Sequence, residues 1–460
     1  MGVPYFIVAF AWFTGQYLNY LNYNLSNKRK IMIYYQSHLA LQPFRAVWNF
    51  LYTVTILSIV FILILPSTAW AQIGSFVRYS RSYAIAGTGQ SSCYSETGDK
   101  IDCKDLQGEQ FNSHRANNHP LYRDNGDETV SDISTGLMWT KSPSNPIRFS
   151  ALAAYAANNR TGGYSDWRIP TIKELYSLII FSGGYTGYPS TSRPYIDESS
   201  FEFHYGSGTG LGKAEAKKRP IDVQEWSSTK YIGRTMGKDE SVFGVNFADG
   251  RIKAYPIMDP ANQMQTPNQL SVRLVRGPAY GINAFKPRPH TIIDEATGLE
   301  WQRKDDGRIK SWREAHSYCK NIQIDGHFDW LLPTAKELHS IVDYQRIPAI
   351  NPLFELSDSR AYLWSSTTHL ETPPPKRREQ KAAFQNTGEL AIYAAIGPAL
   401  GRVEFPPHSG NFKWLDAHGA GAMRSDPKTA NPNQFPDGFG PQGDDIRGYN
   451  YVLCVRTWAN

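Results

Sequence analysis

At 460 residues, 41% hydrophobic and 20% charged, the chain has room for two or three domains of ~150 residues and enough apolar content for a real core. Its formal charge of +6 overstates its basicity, because Lys28, Arg29, Lys30 and Arg45 fall in an acid-free first stretch, residues 1–71, and the remainder is nearly neutral. A near-neutral balance lacks the electrostatic footprint of a nucleic-acid binder, so nucleic acid is excluded as the expected partner.

Residues 50–65 form a nearly unbroken apolar run, flanked by Arg45 and broken by Pro66. Ala69-Trp70-Ala71 then supplies a small-x-small cleavage pattern before Gln72, so residues 1–71 read as a signal peptide cleaved after Ala71. An uncleaved membrane segment over 50–65 is the alternative, since the run approaches the ~17–20 residues needed to span a bilayer. Met32 is the more natural start of such a leader. Either reading exports the chain, to the periplasm, the outer cell surface or the medium, with membrane contact only through this segment. Residues 72–119 follow as a lead-in. Export permits disulfides, and Cys93, Cys103, Cys319 and Cys454 allow three connectivities.

From residue 120 the chain says the same thing twice. Asp132-Ile133-Ser134-Thr135-Gly136-Leu137-Met138-Trp139 returns as Asp294-Glu295-Ala296-Thr297-Gly298-Leu299-Glu300-Trp301. Asp166-Trp167-Arg168-Ile169-Pro170-Thr171-Ile172-Lys173-Glu174-Leu175 returns as Asp329-Trp330-Leu331-Leu332-Pro333-Thr334-Ala335-Lys336-Glu337-Leu338, and Trp226-Ser227-Ser228-Thr229 as Trp364-Ser365-Ser366-Thr367. A period so far above the roughly 20–50 residues of solenoids is a duplicated domain, with repeat 1 at 120–278 and repeat 2 at 285–460.

In chain order, Asp124-Asn125-Gly126-Asp127 marks a tight hairpin turn, with short strands at Thr129-Val130-Ser131 and Gly136-Leu137-Met138-Trp139. Ser150 and the alanine run 151–157 open the first helix of repeat 1. Its counterpart starts at the capping box Ser311-Trp312-Arg313-Glu314 and places Trp312, Ala315, Tyr318, Cys319 and Ile322 on one face. Thr171 with Glu174, and Thr334 with Glu337, cap a second helix. Trp-Ser-Ser-Thr begins a closing sheet with a hairpin at Val245–Ile252, weakened in repeat 2 to Phe384-Gln385-Asn386-Thr387-Gly388, and the units end on strands 272–276 and 452–456. Helices grouped between runs of strands predict an α+β fold with a mainly antiparallel sheet and two helices per unit, each unit closing around its own small core. Loops rich in Gly, Pro and Ser interrupt the pattern at 183–194, 204–220, 371–381 and 417–448, the last with little periodicity. Cys319 and Cys454 align with Ala156 and Leu274, so both are missing from repeat 1 together, as partners in one bond would be. This pairs Cys319 with Cys454 and Cys93 with Cys103.

Thr-Gly-Leu-x-Trp, Asp-Trp-x-x-Pro-Thr-x-Lys-Glu-Leu, Trp-Ser-Ser-Thr and the closing Cys-Val-Arg resemble the Lcl C-terminal domain family, formerly a domain of unknown function, in two tandem copies. The resemblance implies C-type-lectin-like modules close to the formylglycine-generating-enzyme superfamily, bacterial export and, as in the namesake adhesin, binding of sulfated glycosaminoglycans. The chain departs from the family in lacking any collagen-like tract and, in repeat 1, the helix-to-strand disulfide.

Several residue groups invite chemistry. Asp124, Asp127, Glu128 and Asp132 supply oxygens for calcium, yet lack the loop spacing and terminal bidentate Glu of a calcium loop, so a turn is expected and no metal. Glu174, Glu337, Asp166 and Asp329 read as caps and turn ties. His418, near Asp416 and Asp426, has no Ser or Cys nucleophile beside it. Lys213, Lys217, Lys218 and Arg219 precede Trp-Ser-Ser-Thr in repeat 1, and Lys376, Arg377 and Arg378 follow it in repeat 2; on neighbouring loops they are expected to clamp sulfate groups, the alternative being solvated insert tips. The expectation is a non-enzymatic, adhesin-like glycan or sulfated-polysaccharide binder without cofactor. The alternatives are a structural envelope protein that binds a protein partner, and an enzyme of the formylglycine-generating type, which needs free cysteines.

Overall fold

Alternating apolar strands and capped helices recur in the same order in both halves of the chain. A computed structural model describes residues 82–102, 120–206, 219–259, 266–372, 386–406, 409–439 and 442–458. The expected leader, Cys103, Lys213, Lys217, Lys218, Lys376, Arg377 and Arg378 lie outside the described residues.

The lead-in forms a hairpin of β1 (Cys93–Tyr94) and β2 (Lys100–Ile101). Repeat 1 runs β3 (Tyr122–Asp124), β4 (Thr129–Asp132), β5 (Met138–Thr140), β6 (Ile147–Arg148), α1 (Leu152–Asn158), α2 (Ile172–Ser177), β7 (Glu225–Lys230), β8 (Ser241–Asn246), β9 (Arg251–Pro256), β10 (Gln269–Leu270) and β11 (Val275–Arg276). Repeat 2 runs β12 (Phe285–Pro287), β13 (Thr291–Asp294), β14 (Leu299–Gln302), α3 (Trp312–Asn321), α4 (Ala335–Ser340), β15 (Tyr362–His369), β16 (Leu390–Ala395), β17 (Leu400–Glu404), β18 (Phe412–Asp416), β19 (Met423–Pro427) and β20 (Val455–Thr457). Sheet order is β3-β4-β5-β11 and β7-β8-β9 in repeat 1, against β12-β13-β14-β20 and β15-β16-β19 in repeat 2. These ladders are antiparallel, so the fold is α+β, with two α-helices per repeat among the described residues.

The duplicated residues hold these elements together in the same way twice. In both Thr-Gly turns the glycine N–H closes on the aspartate carbonyl at 2.8 Å, Gly136 to Asp132 and Gly298 to Asp294; φ is +75° and +70°, a region glycine enters without strain. The turn sets Trp139 opposite Val130 and Trp301 opposite Ile292, all fully buried. Both second helices carry complete capping boxes, at Thr171/Glu174 and Thr334/Glu337, and α3 has one at Ser311/Glu314. Ser150 departs from expectation. It falls in a 3₁₀ turn, and α1 begins after Ala151 with no side-chain cap. The threonine of Trp-Ser-Ser-Thr adds a further cap: Thr229 Oγ1 accepts from Ile172 N at 3.0 Å and Thr367 Oγ1 from Ala335 N at 2.9 Å. The first serine of that motif donates to the neighbouring strand, Ser227 to Phe243 O and Ser365 to Ile392 O.

The Cys319–Cys454 disulfide joins α3 to the residue before β20, across 135 positions of sequence. Such a loop contributes about 4–5 kcal/mol in the chain-entropy picture. Cys93 is also disulfide-bonded.

Two expectations are corrected here. Residues 417–448 are not a patternless loop: they contain β19, which pairs with β16 from Leu390↔Pro427 to Ala394↔Met423. Its alternation of Arg424 and Asp426 with Met423 and Ser425 lacks the β-branched and aromatic residues that announce a strand. The repeat 2 equivalent of the Val245–Ile252 hairpin therefore does not lie at 384–388, which precede β16. It lies between β16 and β19, where the four-residue turn of repeat 1, 247–250, is replaced by the β17–β18 hairpin.

The second correction concerns the core. One apolar cluster belongs to repeat 1, around Leu152, Trp167, Trp226 and Leu274. Another belongs to repeat 2, around Trp312, Trp330, Trp364 and the Cys319–Cys454 bond. The largest, however, is shared, and merges Leu175, Leu178, Phe243 and Ala254 with Leu338, Ile341, Ile392 and Met423. Each second helix packs on its own closing sheet, and α2 and α4 also meet each other.

At that contact the motif lysines change places. Lys336 Nζ donates to Tyr176 O at 2.8 Å and Ser177 O at 2.7 Å, the carbonyl end of α2. Lys173 Nζ donates to Ser340 O at 2.7 Å, the carbonyl end of α4, and to Asn283 Oδ1 at 3.0 Å. Cations at helix C-termini satisfy orphan carbonyls and oppose the helix dipole. Burial, partly offset by the charge of Asp132, pushes Lys336 down to about 7, and burial pushes Lys173 down to about 8. In the unfolded chain both amines hold their protons to about 10.4. The unfolded state therefore binds more protons from pH 7 upward, and stability rises with pH between about 7 and 10. Urea midpoints at pH 7 and pH 9 are expected to show this rise, and Lys336→Met is expected to shrink it; an unchanged pH dependence in the variant contradicts the assignment.

Candidate functional site

Because the duplicated motifs are occupied in holding the fold, the site is sought where the repeats meet and differ. The outer strands of the closing sheets, β9 and β19, approach each other. Over them opens a cleft of about 260 Å³, lined from repeat 1 by Arg219, Asp249, Arg251, Lys253 and Tyr255, and from repeat 2 by Glu371, Tyr393, Arg424, Asp426, Phe439 and Asp444. Strand alternation places Arg251, Lys253 and Tyr255 on one face of β9 while Ile252 and Ala254 enter the core. Gly250, at φ +68°, turns the chain into β9 where a Cβ would lie 2.7 Å from the Tyr195 ring.

The ladders show which cleft residues correspond. Trp226 pairs with Gly244, and Gly244 with Lys253; Trp364 pairs with Tyr393, and Tyr393 with Arg424. Lys253 and Arg424 are thus equivalent positions of the two repeats, facing one cleft. By the same register Tyr255 corresponds to Asp426.

Their electrostatics have diverged. Arg424 Nη2 donates to Asp444 Oδ2 at 2.5 Å, and His418 Nε2 donates to Asp444 Oδ1 at 2.6 Å. Burial alone would raise the Asp444 carboxyl, but Arg424 and His418 hold it well below the usual carboxylate range. Burial, with Arg424 adding to it, pushes His418 down to about 4, so its ring is neutral and Nε2 carries the proton. Arg251 donates to Glu371 Oε2 at 2.5 Å and to Ser425 Oγ at 2.9 Å, with Asp249 Oδ2 at 3.6 Å. Among the described residues Lys253 has no such partner: Nζ donates to Gln442 Oε1 at 3.3 Å and lies 4.9 Å from the centre of the Tyr255 ring. Burial and the neighbouring Arg424 push Lys253 down to about 8. Asp426 is fully buried, and burial pushes it up to about 7; Oδ2 accepts from the N–H groups of Arg447 and Gly448 at 3.2 Å, while Oδ1 has no partner among the described residues.

Of the residues singled out from sequence, Arg219 and Asp426 are both described and in this cleft; Arg219 donates to Asp222 Oδ1 at 2.9 Å. The insertion carrying Lys213, Lys217 and Lys218 rejoins the described fold at Arg219, and the one carrying Lys376, Arg377 and Arg378 leaves it just after Glu371. His418 is in contact with the site, but through Asp444; Asp416 instead accepts from Tyr231 Oη and from Gly419 N. Asp124 and Asp127 are engaged in their turn, accepting from Gly126 N and Thr129 N. Among the described residues no cluster of three His, Cys, Asp or Glu is placed to hold a metal ion, and no helix is long and apolar enough to cross a membrane. Asp166 and Asp329 pair with the closing-strand arginines, Arg276 and Arg456, each at 2.7 Å. Sequence reasoning missed Lys253 and Arg424 because neither lies in a repeated motif. The period-two run Arg251, Lys253, Tyr255 was the available signal.

Two segments of the chain, residues 128–276 and 290–402, match one protein-family model, that of the Lcl C-terminal domain. Together they cover more than half of the sequence. No curated protein matches the chain.

Removing one partner of a buried ion pair leaves the other uncompensated, at a cost of about 3–5 kcal/mol. Asp444→Ala is therefore expected to destabilise the protein by about 3 kcal/mol in urea unfolding, since Arg424 and His418 both lose their acceptor. A change below about 0.5 kcal/mol, the range of ordinary surface substitutions, would contradict this.

Proposed function

Because the chain belongs to the Lcl C-terminal domain family, in two tandem copies, we propose that it is an exported bacterial recognition protein that binds a glycan in the cleft between its repeats. The observation that carries the reading is the make-up of that cleft. Tyr255, Tyr393 and Phe439 contribute rings, while Arg251, Arg424, Asp249, Glu371 and Asp444 contribute charges already matched to one another. Sugar hydroxyls both donate and accept, so they suit a wall of fixed donors and acceptors beside aromatic faces. At about 260 Å³ the cleft falls below the roughly 300–1,000 Å³ typical of drug-sized ligands, which fits a single sugar-sized group.

The Cys319–Cys454 bond supports an oxidising compartment outside the cytosol. The described cysteines are oxidised, which favours binding over the thiol chemistry of a formylglycine-generating type. We read each half as a C-type-lectin-like module, following the family. The basic stretches at 213–219 and 376–378 border cleft residues in sequence, and we propose that they extend the same surface toward sulfated polysaccharide.

A glycan array with the mature protein, at low and physiological salt and with and without chelator, is expected to return saccharide hits that withstand chelation. Alanine at Lys213, Lys217, Lys218, Lys376, Arg377 and Arg378 is expected to weaken heparin retention several-fold. An array without any hit, alongside capture of a defined envelope protein, would replace this reading with the structural one.

A further inference from the structure

We propose that the Lys253 ammonium anchors a single anionic group on the sugar held in the inter-repeat cleft, an inference that rests on the saccharide-binding reading above. Duplication placed a cation at the same ladder position in both halves, Lys253 and Arg424. The longer connection after β19 then brought Asp444 onto Arg424. Arg251 is matched by Glu371 and Asp249, and Arg219 by Asp222. Of these four cations only Lys253 has no carboxylate within ion-pair distance among the described residues; its one hydrogen bond, at 3.3 Å, goes to a neutral amide. A lysine ammonium has three donors, so two remain for a ligand.

The site selects for one charge. Asp249, Glu371 and Asp444 surround the cleft with carboxylates whose own partners hold them in place, and a second negative group would meet them. Next to Lys253 the ligand must be neutral and hydrogen-bonding. There Asp426, buried on the strand facing it, forms part of the cleft lining. A sugar ring bearing one carboxylate or one sulfate ester has this combination; a ring carrying several sulfates does not, so any further sulfates of a polysaccharide would lie outside the cleft.

The test is calorimetric titration of the mature protein with glucuronate, glucose 6-sulfate, glucose and heparin, for the wild type, Lys253→Met and Lys253→Arg. A charge-assisted hydrogen bond supports an expected loss of about 10-fold or more for a charged monosaccharide in Lys253→Met, with recovery in Lys253→Arg. Glucose is expected to bind more weakly than its charged counterparts and to ignore the substitution. Whichever of glucuronate and glucose 6-sulfate shows the dependence on Lys253 identifies the group. Saccharide binding that is the same in Lys253→Met as in the wild type would overturn the anchor while leaving the glycan reading in place. Failure of all four sugars to bind the wild type would overturn both. Lys253 makes no ion pair among the described residues, and its burial lowers the amine to about 8, so a thermal midpoint in Lys253→Met no lower than that of the wild type is the folding control.

Discussion

Two buried ammonium groups, Lys173 and Lys336, each seated on the last carbonyls of the opposite repeat's second helix, fix how the halves of this protein face one another. The exchange is reciprocal, as in the self-complementary interface of a twofold dimer, but it lies within one chain. Around it the second helices and closing sheets merge into a common apolar cluster. Desolvating two amines without a directly bonded carboxylate is costly, and the hydrogen bonds they give to four helix-end or loop carbonyls, Gly281 O, Ser340 O, Tyr176 O and Ser177 O, offset that cost. With the second helices so held, β9 and β19 come together on the sheet side, and the cleft between them exists only as a product of both repeats.

This division explains why the residues most visible in the sequence carry no chemistry of their own. Trp-Ser-Ser-Thr supplies a buried ring, a strand-to-strand hydrogen bond and a helix cap; the aspartate of Asp-Trp holds the closing-strand arginine; the glutamate of the second helix closes a capping box. Each of these contacts occurs twice. Residues that must do the same thing in both halves are held to the fold. Lys253 and Arg424 occupy equivalent ladder positions, and Asp444 makes them different. Arg424 is matched in an ion pair, whereas Lys253 has no carboxylate within ion-pair distance among the described residues.

Much of the architecture was legible because it rests on local rules. Capping boxes, Thr-Gly turns and the spacing of Trp312, Ala315 and Cys319 are short-range patterns, and the paired absence of Cys319 and Cys454 from repeat 1 identified their bond. What escaped was long-range. The shared core was hidden because Leu175 and Leu338 look alike whether they face their own sheet or the other repeat's. Strand β19 was hidden because its side chains serve a cleft, and a strand carrying Arg424, Ser425 and Asp426 has the composition of a loop. The cleft itself was illegible for the same reason: its residues are brought together from 219 to 444 by the packing of one repeat on the other.

The shared core and the exchanged lysines make one claim that is open to direct measurement, namely that the two repeats are a single cooperative unit. Hydrogen exchange followed by mass spectrometry across a urea series reports β8 in repeat 1 and β16 in repeat 2 separately. The account predicts one common midpoint for both strands and equal calorimetric and van't Hoff enthalpies. Two separate midpoints, with one repeat still protected after the other has opened, would contradict it.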